Sequence, residues 1–178
     1  SKCGYVMQAN FFVTCIIDQI YPEVGESTVR VLKRLGVDLR FPNAQTCCGQ
    51  PAFNSGFWKD AKPIAKHWVD QFDGNLDVVV PSGSCATMVR VFYNDLFRDD
   101  HEYLRKFQRI RGKVYELSEY IVDVLGIDDI SKFAKPSSNL TPRKITYHEA
   151  CHLKRELGIE TQPRTLIKSC PGVDLVEM

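Results

Sequence analysis

Hydrophobic patterning along the chain alternates between short β-type runs and longer helical stretches. Residues 10–15 (N-F-F-V-T-C) form an apolar run rich in β-branched and aromatic side chains, which predicts a buried strand ending at Cys15. A turn through Tyr21 and Pro22 leads into residues 23–35, where Val24, Thr28, Val31, Leu32 and Leu35 share one side at helical spacing and Gly36 supplies a stop. Residues 37–41 predict a second strand, closed by Pro42. Residues 43–56, which hold Cys47-Cys48-Gly49, read as an irregular connection. A helix is expected over 57–72, with an irregularity at Pro63. The most strongly patterned strand is 76–80 (L-D-V-V-V), which runs into the small-residue loop Pro81-Ser82-Gly83-Ser84-Cys85 and a helix through Phe97.

Strands alternating with helices predict an α/β fold, an open, mainly parallel sheet with helices on both faces in three layers. Tyr103, Phe107, Ile110, Val114, Leu117, Ile121 and Val124 step by four and three, which predicts one long amphipathic helix. Residues 131–142, rich in Ser, Pro and Lys, read as a linker or exposed loop. Beyond them lie an expected strand at 144–148, a helix after Cys151 and a strand at 173–178.

Composition narrows the function classes. The chain has 178 residues, 44% of them hydrophobic and 25% charged, so a packed core is expected rather than disorder. A net charge of +1 leaves no broad basic field for nucleic acid. No apolar run is long enough to span a bilayer, and the first residues lack the basic and apolar blocks of a signal peptide. Seven cysteines in that context predict thiols kept reduced in the cytoplasm, available as metal ligands or redox groups.

The strand reading gives the cysteines meaning. Cys15 is expected to end the first strand, Cys47 and Cys48 to follow the second, and Cys85 to follow the third. In an open parallel sheet the loops at the carboxyl ends of the strands share one edge, where ligands bind. The plain alternative is that each cysteine is a small buried hydrophobe, which suits Cys3 and Cys170 better than these four. Four thiolates suit zinc or an iron–sulfur cluster. Adjacent cysteines with distant partners favour the wider cluster, while a zinc-stabilised scaffold and a thiol–disulfide enzyme remain open.

The spacing Cys15, 31 residues, Cys47-Cys48-Gly49, 35 residues, Cys85 resembles the CCG cysteine-rich domain. That domain is found in the cysteine-rich subunit of heterodisulfide reductases and in glycolate oxidase iron–sulfur subunits. The segments F-V-T-C-I-I-D-Q-I-Y-P-E-V-G, Q-T-C-C-G-Q-P-A-F-N-S-G and P-S-G-S-C-A-T-M are more similar still to its lactate-utilisation protein A branch. The resemblance implies a cytoplasmic iron–sulfur electron-transfer subunit of an oxidoreductase complex that converts L-lactate, a 2-hydroxy acid, to pyruvate. A ferredoxin-like iron–sulfur protein and a further subunit would be its partners. It implies a cluster, most simply [4Fe-4S], held by Cys15, Cys47, Cys48 and Cys85. A heterodisulfide-type reductase subunit is the alternative. The reductase motif ends Cys-x-x-Cys, whereas Met88 stands at its last position here.

His148-Glu149-Ala150-Cys151-His152 resembles the opening of a second copy, which makes Cys151 a ligand of a second lobe. The expected division is a first lobe at 7–126, a linker or loop at 127–143 and the start of a second, incomplete lobe at 144–178. Met7 is the expected natural start, with residues 1–6 an extension.

Other signals are weaker. His148 and His152 flank Cys151 as possible co-ligands. His67 and His101 lie among charged residues and are expected to be solvated. Arg105, Lys106, Arg109, Arg111 and Lys113 read as a solvated helix face, or else a docking surface for an acidic redox partner. Pro81–Ser84 opens a helix whose amides suit an anion.

Overall fold

The computed structural model describes residues 7–134 and 141–178. The expected extension at 1–6, with Cys3, lies outside the described residues, as does the stretch 135–140 of the expected linker. The chain divides into two compact units, with the boundary between Glu116 and Leu117.

In the first unit the strands are β1 (Met7–Phe11), β2 (Val37–Arg40), β3 (Asp77–Val80) and β4 (Val114–Glu116). They form a four-stranded parallel sheet in the order β2-β1-β3-β4. The helices between them are α1 (Cys15–Gln19), α2 (Pro22–Arg34), α3 (Gln50–Asn54), α4 (Trp58–Phe72), α5 (Gly83–Thr87), α6 (Tyr93–Leu96) and α7 (His101–Arg111). This is the expected α/β architecture of a parallel sheet flanked by helices. Val78, Val79 and Val80 are fully buried, as a central parallel strand requires. Ala9 and Phe11 supply the buried face of β1.

An aromatic cluster packs this unit. Phe12 meets Trp68 and Phe72 edge-on at 5.6 and 5.5 Å, and Tyr93 bridges Trp68 to Phe97 and Phe107. Trp68 and Phe72 come from α4, whose buried residues Ala61, Ala65, Trp68, Val69 and Phe72 form one stripe. The helix runs on through Pro63, forgoing the one bond that Pro63 cannot give to Lys59.

Three sequence expectations are corrected. The first strand ends at Phe11, with Phe12 N–H still bonding to Val79 O at 3.0 Å, and Cys15 instead opens α1. On α2 the buried residues are Gly25, Thr28 and Leu32, while Val24 and Val31 are exposed. The rotation follows from Gly25, where a Cβ would stand 3.0 Å from Ile17, so α1 and α2 approach at that glycine. Finally, the long helix through Val124 is broken. It stops at Arg111 with Gly112 as its cap, and Val114–Glu116 pairs with β3 as the fourth strand. Helical spacing from Tyr103 to Val124 hid a strand of three residues.

The second unit holds α8 (Leu117–Glu119), a π-helical turn at Tyr120–Val124, β5 (Arg143–Ile145), α9 (Cys151–Leu157), α10 (Thr161–Ser169) and β6 (Val173–Leu175). β5 and β6 pair in parallel. A two-stranded sheet is marginal alone, and Arg164 braces it. Its guanidinium donates to both Glu177 oxygens at 3.0 Å, to Glu149 and to Glu160 O, and lies over the Tyr147 ring.

The Phe12 contacts predict a large core effect. Phe12→Ala should lower unfolding free energy by about 3–5 kcal/mol, read from denaturant midpoints. A loss below about 1 kcal/mol would show that Phe12 is not part of a tight core.

Candidate functional site

β1 and β3 lie side by side, yet the chain leaves β1 toward β2 on one flank and returns to β3 on the other. The point between them is where connections diverge, and there the carboxyl-end loops leave a crevice. Cys15 follows β1, Cys47 and Cys48 follow β2, and Cys85 follows β3. All four line one cavity of about 260 Å³, together with Ser82, Ser84 and the apolar Ile16, Ile17, Tyr21 and Val24. The structure thus brings the four cysteines predicted from sequence to one place.

The thiols stand close together. Cys15 Sγ lies 3.5 Å from Cys47 Sγ. Cys48 shares the cavity wall with Cys47 and Cys85 and shifts the protonation of both. Cys47 also accepts the Gly49 N–H at 3.3 Å. Donation from Cys48 is the main reason Cys47 is lowered to about 5, helped by Gly49 and Cys15 against the opposing effect of burial. Cys85 is lowered as well, chiefly by the Cys48 thiol and further by Ser82 and Ser84. Burial, then donation to Cys47, pushes Cys15 up to about 11, and Cys48 rises well above the ordinary thiol range as the shared donor. Crowded thiols cannot all ionise, so charge settles on alternate sulfurs.

The loop that carries Cys47 and Cys48 is held from several sides. Gly49 has φ +84°, and a Cβ there would sit 3.3 Å from Ala61 O on α4. Only glycine meets both demands without strain. The buried Tyr93 hydroxyl donates to Cys48 O at 2.8 Å, tying the cysteine backbone to the aromatic core. Ser82 caps α5, its Oγ accepting the Cys85 N–H at 3.4 Å. That contact engages the Cys85 amide, one of the donors the sequence offered to an anion.

The other sequence candidates fall elsewhere. Met88 is fully buried and is not among the residues lining the cysteine cavity. Cys170 caps α10 and Cys151 opens α9, both in the second unit, with Cys151 exposed and flanked by exposed His148 and half-buried His152. Among the described residues no group of three or more His, Cys, Asp and Glu side chains is arranged to hold a single metal ion. His67, expected to be solvated, is half-buried and its Nε2 lies 2.6 Å from Ala44 O. Within the basic run, Lys106 pairs with Asp70 of α4 at 3.1 Å and Arg109 with Asp73, the residue that caps α4, at 2.9 Å. Sequence reasoning gave no role to Gln45, Gln50 or Tyr93, because none of their contacts is visible in local periodicity.

Residues 9–90 match the CCG cysteine-rich domain family. Lactate utilization protein A 2 of Bacillus cereus is 40% identical over 173 residues, covering 97% of this chain and 68% of that protein. Lactate utilization protein A of Anoxybacillus flavithermus is 42% identical over 172 residues, covering 97% and 69%. The chain therefore spans about two thirds of the length of these relatives. A cysteine-rich domain of this kind suggests metal or cluster binding. Among the described residues no helix is long and apolar enough to cross a membrane.

Two measurements follow from this geometry. Gly49→Ala should destabilise the chain by about 1–3 kcal/mol, since it forces a Cβ into left-handed backbone against α4; an unchanged denaturation midpoint would contradict the close approach. In metal-free protein at about pH 6.5, iodoacetamide should label Cys47 well ahead of Cys15, because only the thiolate reacts. Cys47 is held down to about 5 and Cys15 is pushed up to about 11, so Cys47 reactivity should fall only as pH drops through its own value. Equal labelling of the two would refute the assignment.

Proposed function

The chain belongs to the lactate utilization protein A family, built on the CCG cysteine-rich domain, and from this premise we propose that it is an iron–sulfur electron-transfer subunit acting in the oxidation of lactate to pyruvate. The observation that carries the reading is the meeting of four thiols from three separate loops at one cavity on the carboxyl edge of the sheet.

The donor set fits a cluster. Thiolates are the soft ligands that iron–sulfur clusters take. Four thiols at one cavity, two of them adjacent in sequence at Cys47-Cys48, offer ligands to a multinuclear group more readily than to one ion. Cys15, Cys47, Cys48 and Cys85 would hold it, and when bound it would supply one-electron redox chemistry. The chain's own residues set the conditions. The Gly49 N–H donates to the Cys47 sulfur, and Ser82 and Ser84 hydrogen-bond to Cys85. Donors of this kind withdraw charge from sulfur and stabilise a reduced centre. Apolar Ile17, buried in the wall, keeps water from part of it.

Residues 144–178 belong, on this reading, to a second lobe with Cys151 as a ligand. The partners would be a ferredoxin-like protein and a further subunit of a cytoplasmic lactate-utilisation complex. One observation favours a second reading, thiol–disulfide exchange. A low-pKa Cys47 stands 3.5 Å from Cys15, the arrangement of an attacking and a resolving thiol.

Anaerobic purification followed by iron, sulfide and zinc assays separates these readings. Matched iron and sulfide is the expected result. Bound zinc, or a metal-free protein that exchanges disulfides, would overturn it. After anaerobic reconstitution, Cys47→Ser and Cys48→Ser should each abolish bound iron, whereas Cys170→Ser, at the end of α10, should retain it. Equal iron in all three variants would contradict the assigned ligands.

A further inference from the structure

The segment that carries Cys47 and Cys48 has no helix or strand between Arg40 and Gln50. An irregular loop of this length would lose considerable entropy in holding two thiols against two other loops. Two glutamines, Gln45 and Gln50, bracket the cysteines in the stretch Q-T-C-C-G-Q. Gln45 uses both ends of its amide. Its Oε1 accepts the Val13 N–H at 2.8 Å, and its Nε2 donates to Phe11 O at 3.2 Å. Since β1 ends at Phe11, the side chain continues the pairing where strand β2 has already stopped. That fixes the Cys47 side of the loop to the backbone leading directly into Cys15. Gln50 does the corresponding work on the other side. Its Nε2 donates to Ser84 O at 3.1 Å, beside Cys85, and the residue is only 9% exposed and lines the cavity.

We infer that Gln45 and Gln50 are positioning residues, Gln45 fixing the Cys15–Cys47 pair and Gln50 the Cys48–Cys85 pair. The inference rests on the four cysteines forming one site, and not on what that site holds. Glutamine suits the task chemically. Alanine has neither donor nor acceptor, and an ionised glutamate cannot donate to a carbonyl.

The test uses the full chain, metal-free and reduced, exposed briefly to diamide. Each thiol pair gives up two electrons and two protons to diamide, forming one S–S bond and leaving the corresponding hydrazine. Disulfides are then mapped by peptide mass spectrometry. Gln45→Ala should slow formation of the Cys15–Cys47 bond by about tenfold or more while leaving Cys48–Cys85 within about twofold, since reaction depends steeply on approach geometry. Gln50→Ala should do the converse. Gln45→Glu, close in shape but unable to donate to Phe11 O, should reproduce the selective loss with less disturbance of the fold. A change in both pairs together, as general loosening would produce, overturns the proposal, and so does no change in either. With no metal present, failure of the iron–sulfur reading would leave this result intact.

Discussion

Parallel strands all deliver their carboxyl ends to the same edge of a sheet, and the site depends on that constraint. Because β1, β2 and β3 run the same way, the loops carrying Cys15, Cys47-Cys48 and Cys85 leave on one side despite their separation in sequence. The strand order β2-β1-β3-β4 then opens a crevice beside β1 and β3. Burial of Val78, Val79 and Val80 makes the register of β3 expensive to shift, since a slip of one residue would draw Asp77 or Pro81 into a fully buried position. The fold thus sets which residues meet.

Within that frame, side chains of other elements refine the distances. Tyr93 holds the Cys48 carbonyl from the aromatic core, and Gly49 lets the loop lie close on α4. A buried carbonyl deprived of its partner costs about 1–3 kcal/mol, so the Tyr93 contact couples core packing to the cysteine backbone. Electrostatics works at the same scale. The protons on Cys15 and Cys48 are what allow Cys47 and Cys85 to carry charge, and a cation or cluster would replace those protons.

Much of this was legible in the sequence. The β-branched run at 76–80, the glycine after α2 and the small residues before Cys85 give local signals, and β3, α2 and α5 lie where those signals put them. The convergence of the four cysteines followed from topology once a parallel sheet was inferred. The failures have a common cause. Val114 and Leu117 fit one helical period although Val114 opens β4 and Leu117 lies just past its end, and only pairing with β3 reveals the strand. Cys15 lay at the end of an apolar run that continues as Ile16-Ile17, so no local signal separated Phe11, where the strand ends, from the start of α1. Gln45 and Gln50 make their bonds across more than thirty residues, a distance at which periodicity carries no information.

The central claim is that one site built from Cys15, Cys47, Cys48 and Cys85 holds an iron–sulfur cluster. The most direct measurement is an anomalous difference map, recorded at the iron edge, from crystals grown anaerobically. The account predicts several iron atoms grouped in the cavity, within bonding distance of those four sulfurs. A single zinc atom there, or iron bound elsewhere with the four thiols unligated, would contradict it.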